Sequence, residues 1–135
     1  MRITRRTDYA IHLLAALAKQ PDRSLGLRAL AEGHGVTYAF ARTVQQGLLD
    51  AGVITATRGI NGGIKLAKPV NEITLLEIFE ASQNPVSELF ELTEVPWCTC
   101  AKDSCVSSKA WVTAEKNLRD QLAKTTLKTL LKTAK

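Results

Sequence analysis

The chain of 135 residues has no apolar stretch long enough to cross a bilayer. After Met1 the residues alternate basic and hydroxyl side chains instead of opening the apolar run of a secretory leader. A cytoplasmic location is expected. Four prolines, no internal repeat and no low-complexity tract leave a folded globular class, with 45% hydrophobic and 23% charged residues. That length and composition support one compact domain with a real core and one or two appended helices.

Catalytic machinery is also missing. No glycine-rich phosphate loop follows a strand, and no Ser-His-Asp set is present. Glu88, Glu91 and Glu94 lie in an irregular acidic segment that reads as a solvated face. An enzyme is not expected. Cysteine is scarce but clustered, with Cys98, Cys100 and Cys105 falling within the run WCTCAKDSC. An odd number of cysteines in a cytosolic chain argues against a disulfide framework and toward metal or redox chemistry. The cluster lacks the CxxC pair and two further ligands of a four-ligand zinc site, and His12 and His34 are remote in sequence. Three thiolates can hold an iron–sulfur cluster, 2Fe-2S or 4Fe-4S, if a fourth ligand arrives from elsewhere. A reversible dithiol switch and three inert reduced cysteines are the competing readings.

What is present begins with an uneven charge distribution. Met1 to Val70 carries ten Lys/Arg against four Asp/Glu; Asn71 to Trp97 carries six acids and no base. From Cys98 onward there are eight bases and three acids, and the net charge is +5. A basic N-terminal half suits a polyanionic partner, because each cation placed on a phosphate releases a counterion.

Helical periodicity places a first helix capped at Thr7, with Ala10, Leu13, Leu14 and Leu17 as its apolar stripe. A second helix follows Gly26 and turns Leu27, Leu30 and Ala31 inward. Gly33 and Gly35 punctuate the chain, and Thr37 caps a third helix from about Tyr38 to Ala51, buried through Ala41, Val44 and Leu48. Two short helices joined by a glycine-containing turn form a helix-turn-helix. Val53 to Thr57 and Ile64 to Ala67 read as two strands around the turn RGINGG, a β-hairpin in the position of a wing. Thr74 and Glu77 have capping-box spacing at the start of a fourth helix that buries Leu75, Ile78 and Phe79. A long last helix begins near Cys105 with the stripe Trp111, Ala114, Leu118 and Leu122, and a short turn through Leu127, Leu130 and Leu131 closes the chain. The expected fold is mainly α with a small β wing: a DNA-binding winged helix-turn-helix over 1–84, a cysteine-containing sensor loop over 85–106, and a dimerisation helix with its C-terminal turn over 107–135. The long apolar stripe suggests a two-fold homodimer.

Arg2, Arg5 and Arg6 cluster where cations and helix-start amides could face a phosphate. Tyr38, Arg42, Thr43 and Gln46 lie opposite the buried stripe of the third helix. Arg pairs bidentately with guanine and Gln with adenine, so these residue types suit a major-groove reader of double-stranded DNA. In the wing, glycines would let the hairpin tip approach a groove, with Lys65 beside it and Arg58 as the candidate for a narrow minor groove. The bland alternatives are the solvent face of an amphipathic helix and a turn residue in water.

The opening MRITRRTDYAIHLL, the segment LLDAGVI, the wing TRGINGGIKLAKP and the clustered cysteines resemble the bacterial Rrf-type regulators, the family that includes IscR and NsrR. The resemblance covers nearly the whole chain. It implies a dimeric winged-helix transcription regulator, here expected to be a repressor, on a pseudo-palindromic operator. It further implies sensing of iron–sulfur status, nitric oxide or redox state through a cluster on Cys98, Cys100 and Cys105. Asp8 falls where some members supply a non-cysteine ligand from the partner's first helix. The cysteine gaps, one residue and then four, are less even than the family's, and Ser108 stands where IscR-like members have a His. A regulator with non-sensing cysteines, or a protein-interaction module without operator binding, is the alternative.

Overall fold

The computed structural model describes residues 3–83 and 105–134. Along these residues run α1 (Arg5–Ala18), α2 (Leu27–Gly33), α3 (Tyr38–Asp50), β1 (Ile54–Thr57), β2 (Gly63–Leu66), α4 (Leu75–Ser82), α5 (Val106–Lys124) and α6 (Leu127–Thr133). The fold is mainly helical with one small antiparallel wing, as the periodicity indicated.

Helix α1 is the centre of the core. Leu13 and Leu14 are fully buried, and Tyr9, Ala10 and Leu17 continue the same stripe. Its cap is Thr4, not Thr7: the Thr4 hydroxyl accepts from the Thr7 amide at 3.4 Å. Thr7 is only 2% exposed because its hydroxyl turns inward, toward Ser82 and Gln83 at the end of α4. A threonine two residues before the first buried apolar position looked like a cap, but its hydroxyl serves a tertiary contact.

Ala31 of α2 and Ala41, Val44 and Leu48 of α3 pack into the same core. Gly52, at φ +72, reverses the chain directly after α3, and the Val53 amide donates to the Leu48 carbonyl at 3.0 Å. Strands β1 and β2 pair in the register Ile54↔Leu66 to Thr57↔Gly63. A third, single-residue rung joins them: Leu25 and Ile64 exchange two backbone hydrogen bonds of 2.9 Å. The wing is thereby anchored to the segment between α1 and α2.

Helix α4 opens with the full Thr74–Glu77 capping box and buries Ile78 and Phe79, with Leu75 only half-buried. Gly47 lets α3 and α4 approach closely, since a Cβ there would lie 2.2 Å from the Ala81 carbonyl oxygen. Helix α5 contains no buried residue. Arg119 ties it to Glu80 of α4 at 2.9 Å. The chain then returns to the core at α6, where Leu127 is fully buried and its amide donates to the Ile73 carbonyl at 2.8 Å. No helix among the described residues is long and apolar enough to cross a membrane.

Candidate nucleic-acid interface

The Thr37 hydroxyl accepts from the Phe40 amide at 3.2 Å and fixes where α3 begins. With Ala41, Val44 and Leu48 facing the core, the helix turns Tyr38, Arg42, Thr43 and Gln46 outward, and all four are exposed. Three of them have local partners. The Arg28 guanidinium sits 4.3 Å from the centroid of the Tyr38 ring. Thr43 donates to the Ala39 carbonyl at 3.1 Å, and Gln46 donates to Asp50 at 2.7 Å. Arg42 makes no ion pair among the described residues.

Arg28 is a site residue that the sequence pattern does not single out, since the periodicity of α2 marks only its inward stripe. Its stack on Tyr38 puts a second cation beside the first turn of α3. Arg28 stands in the first turn of α2 and Tyr38 in the first turn of α3, ten residues apart, and no local spacing pairs them.

The tip of the wing is a turn closed by the Gly62 amide on the Gly59 carbonyl at 3.0 Å. Arg58, at its shoulder, and Lys65, opposite Thr55 on β2, are exposed. No acidic residue occurs between Val53 and Ala67. The wing glycines have a reason internal to the fold. A Cβ on Gly62 would lie 2.2 Å from the Thr57 carbonyl oxygen, and one on Gly63 (φ +150) would lie 2.4 Å from that of Leu25. These residues permit backbone packing of the hairpin on itself and on the Leu25 rung. Of the three wing glycines only Gly59 faces open space.

The wing is also fixed from its far side. Lys68, two residues beyond β2, pairs with Glu77 in the capping box of α4. Burial pushes the Glu77 carboxyl up, but the Lys68 and Thr74 hydrogen bonds outweigh it and hold the group below the usual carboxylate range. On the other flank, Tyr9 packs edge-on against His34 (5.7 Å between centroids) and tilted against Phe40 (5.8 Å), seating α1 on the turn between α2 and α3. Burial raises the Tyr9 phenol above its ordinary range.

Arg5 and Arg6 are the first two residues of α1 and are exposed, within the helix instead of ahead of it. The start of that helix is partly occupied by its own chain: the Thr4 amide donates to Gln83 and the Thr7 amide to Thr4. Arg2 lies outside the described residues. Asp8 is exposed, with the His12 imidazole 3.8 Å away. Cys105 is half-buried at the N-cap of α5, while Cys98 and Cys100 lie outside the described residues, as does nearly all of the expected sensor loop. Among the described residues no three His, Cys, Asp or Glu side chains come together to hold a metal ion.

Comparison with known proteins adds a sequence and a structural relationship. The family model Rrf2, described as an iron-dependent transcriptional regulator, matches residues 3–133. Protein aau3 of Rhizobium meliloti (strain 1021) is 33% identical over 107 residues, covering 78% of this chain and 68% of that protein. The HTH-type transcriptional regulator NsrR of Shouchella clausii (strain KSM-K16) is 34% identical over 101 residues, covering 74% of this chain and 67% of its own. Among solved structures, CymR, the global cysteine regulator of B. subtilis, superimposes with a TM-score of 0.76 at 20% identity, over 98% of this chain and 97% of that one.

Proposed function

The chain belongs to the Rrf2 family of transcriptional regulators, and from that membership we propose that it is a dimeric repressor of a pseudo-palindromic operator, gated by its three-cysteine segment. The observation that carries the DNA-binding part is the placement of the exposed polar face of α3 beside a wing with two cations and no acid. The Leu48–Val53 and Leu25–Ile64 backbone bonds hold the two together. Helix α3 enters the major groove, where Arg42 pairs with a guanine edge. Gln46 exchanges its bond to Asp50 for a base edge, and Thr43 and the Arg28–Tyr38 stack meet the flanking backbone. Arg58 enters the adjacent minor groove. Lys65, Arg5, Arg6 and Arg2 contact phosphates.

Residues 1–84 act as the reader, 85–106 as the sensor and 107–135 as the dimer element. The absence of buried residues on α5, with Trp111 at 49% and Val112 at 56% exposed, supports a second copy across that helix. Two-fold pairing would set two α3 helices one DNA turn apart, about 34 Å.

For the gate, the donor chemistry fits an iron–sulfur cluster in kind. Cys98, Cys100 and Cys105 supply thiolates, and the exposed carboxylate of Asp8 from a second copy supplies the fourth ligand. The sulfur of Cys105 sits at the amide end of α5, the end of a helix that favours negative charge. A bound cluster would supply a centre reactive toward oxidants and nitric oxide. The residues themselves would link that centre to α1, through Asp8, and to the dimer helix, through Cys105. The one-residue gap between Cys98 and Cys100 favours a second form of the gate, in which thiol oxidation alone changes the segment.

The test is to purify the full chain without oxygen and record its absorption while titrating labelled operator duplex. Brown protein with thiolate-to-iron bands, whose DNA affinity changes on cluster loss, is the expected result. Colourless protein after reconstitution with iron and sulfide, with an affinity that responds to peroxide, selects the thiol form. No response to either treatment removes the gate and leaves the DNA-binding part standing.

A further inference from the structure

Ile60 is the most exposed large hydrophobic residue of the described chain, with a relative exposure of 104%. It occupies the wing tip between Gly59 and Asn61, inside the turn closed by the Gly62 amide on the Gly59 carbonyl. Nothing in the fold calls for isoleucine there. Turns favour Pro, Asn, Asp and Gly at their central positions, each for a backbone reason that a β-branched apolar side chain does not share. The side chain packs on nothing, so it adds nothing to the core.

The backbone around it, by contrast, is tightly held. Gly62 packs on Thr57 and Arg58, Gly63 packs on Leu25, and the Leu25–Ile64 rung anchors the strand. The hairpin therefore presents Ile60 at a fixed place, one residue beyond Gly59 from Arg58 and with no acid on the wing. Strands of four residues extend about 13 Å. A minor groove borders the major groove on either side, next to a recognition helix seated there. Proteins that enter the minor groove combine a cation drawn by its potential with an apolar side chain set against its sugars or base steps.

From these observations we infer that Ile60 is a DNA-contacting residue, an apolar probe that packs into the minor groove beside Arg58 and contributes to recognition of the flanking sequence. This rests on the wing–DNA reading above and adds to it a contact that involves no charge.

The experiment uses the full chain and a duplex enriched by it from a random pool, titrated by fluorescence anisotropy at several salt concentrations. Ile60→Ser should weaken binding about tenfold, the order expected for re-exposing one buried aliphatic side chain. The salt slope should be unchanged because no phosphate contact is lost. Ile60→Val should recover most of the affinity, and all variants should unfold at the wild-type urea midpoint, since the residue is outside the core. Replacing flanking G·C pairs by I·C alters the minor groove alone. That replacement should shift wild-type affinity more than that of Ile60→Ser, which keeps only the Arg58 contact in that groove; an equal shift in the two would overturn the inference. Wild-type affinity in Ile60→Ser overturns the inference while a weakened Arg58→Ala keeps the wing on DNA. A wild-type chain that fails to prefer the enriched duplex overturns both.

Discussion

The side-chain carbonyl of Gln83 accepts hydrogen bonds from both the amide (2.9 Å) and the hydroxyl (3.1 Å) of Thr4, a residue 79 positions earlier in the chain. Thr7 donates to the same oxygen, and Ser82 reaches Thr7 at 2.9 Å. One polar knot thus closes the start of α1 onto the end of α4. It stands next to Asp8 on one side and at the entrance to the cysteine segment on the other.

Cutting the knot should cost stability. Gln83→Ala leaves the Thr4 amide and two hydroxyls without that acceptor in a part-buried site, and should lower the unfolding free energy by about 1–3 kcal/mol. Thr7→Val, which keeps the shape and removes the buried hydroxyl, should cost about 1 kcal/mol. Urea unfolding monitored by circular dichroism measures both; wild-type midpoints would show that the knot is incidental.

Glu77 gives a pH dependence with a definite sign. Its folded-state carboxyl titrates below the ordinary glutamate range, so it binds fewer protons folded than unfolded. Its contribution is full above the ordinary glutamate value and is lost as pH falls through the depressed folded one. With about a third of the side chain exposed, solvent screening limits the effect to about 1 kcal/mol. Melting temperatures between pH 7 and 3 should converge for wild type and Glu77→Gln at the acid end, and a constant gap would contradict the assignment.

Gly63 is constrained both by its φ and by a close backbone approach. Gly63→Ala combines a left-handed φ with a Cβ 2.4 Å from the Leu25 carbonyl oxygen, and should destabilise by about 2 kcal/mol or more while loosening the hairpin. Gly59→Ala meets open space and carries only the strain of its φ of +111. Thermal unfolding of the two variants should therefore rank Gly63→Ala well below Gly59→Ala, and an inverted order would refute the close-approach explanation.

The helices and wing were legible because their signals are local. Apolar spacing marked α1, α3 and the last long helix, the Thr74–Glu77 pair marked α4, and the glycines marked the hairpin. The contacts that tie these pieces together were not legible, because they join distant residues through backbone or polar atoms. The Leu25 rung leaves no trace in the pattern, and Gln83 looks like any polar residue after a helix. Thr7 was misread for the same reason: a cap and a buried tertiary hydroxyl have the same sequence signature. At the candidate site, the outward face of α3 follows from periodicity and the i,i+4 spacing of Gln46 and Asp50 from the same helix, whereas the stack of Arg28 on Tyr38 joins two helices and has no local signature.

The proposed dimer is checked on α5. Leu118→Asp places a charge on the half-buried stripe and Trp111→Glu places one at a half-exposed position. Both should shift sedimentation from dimer to monomer at micromolar concentration. Trp111→Glu should do so without changing the fold, because its side chain is not part of the core. Monomers in either variant should bind a full operator at least tenfold more weakly, since two half-sites are no longer linked. A Trp111→Glu dimer with unchanged affinity would place the interface elsewhere.

The most direct measurement is the affinity of the full chain for an enriched duplex against a shuffled duplex of the same composition, across salt concentrations, with Arg42→Ala alongside. Binding to the enriched duplex should be at least a thousandfold tighter and should weaken steeply with salt, as expected of a site that combines base contacts with several phosphates. Arg42→Ala should lose about 1–3 kcal/mol on the enriched duplex and much less on the shuffled one. Equal affinity of the wild-type chain for the two duplexes would contradict operator recognition by α3 and the wing.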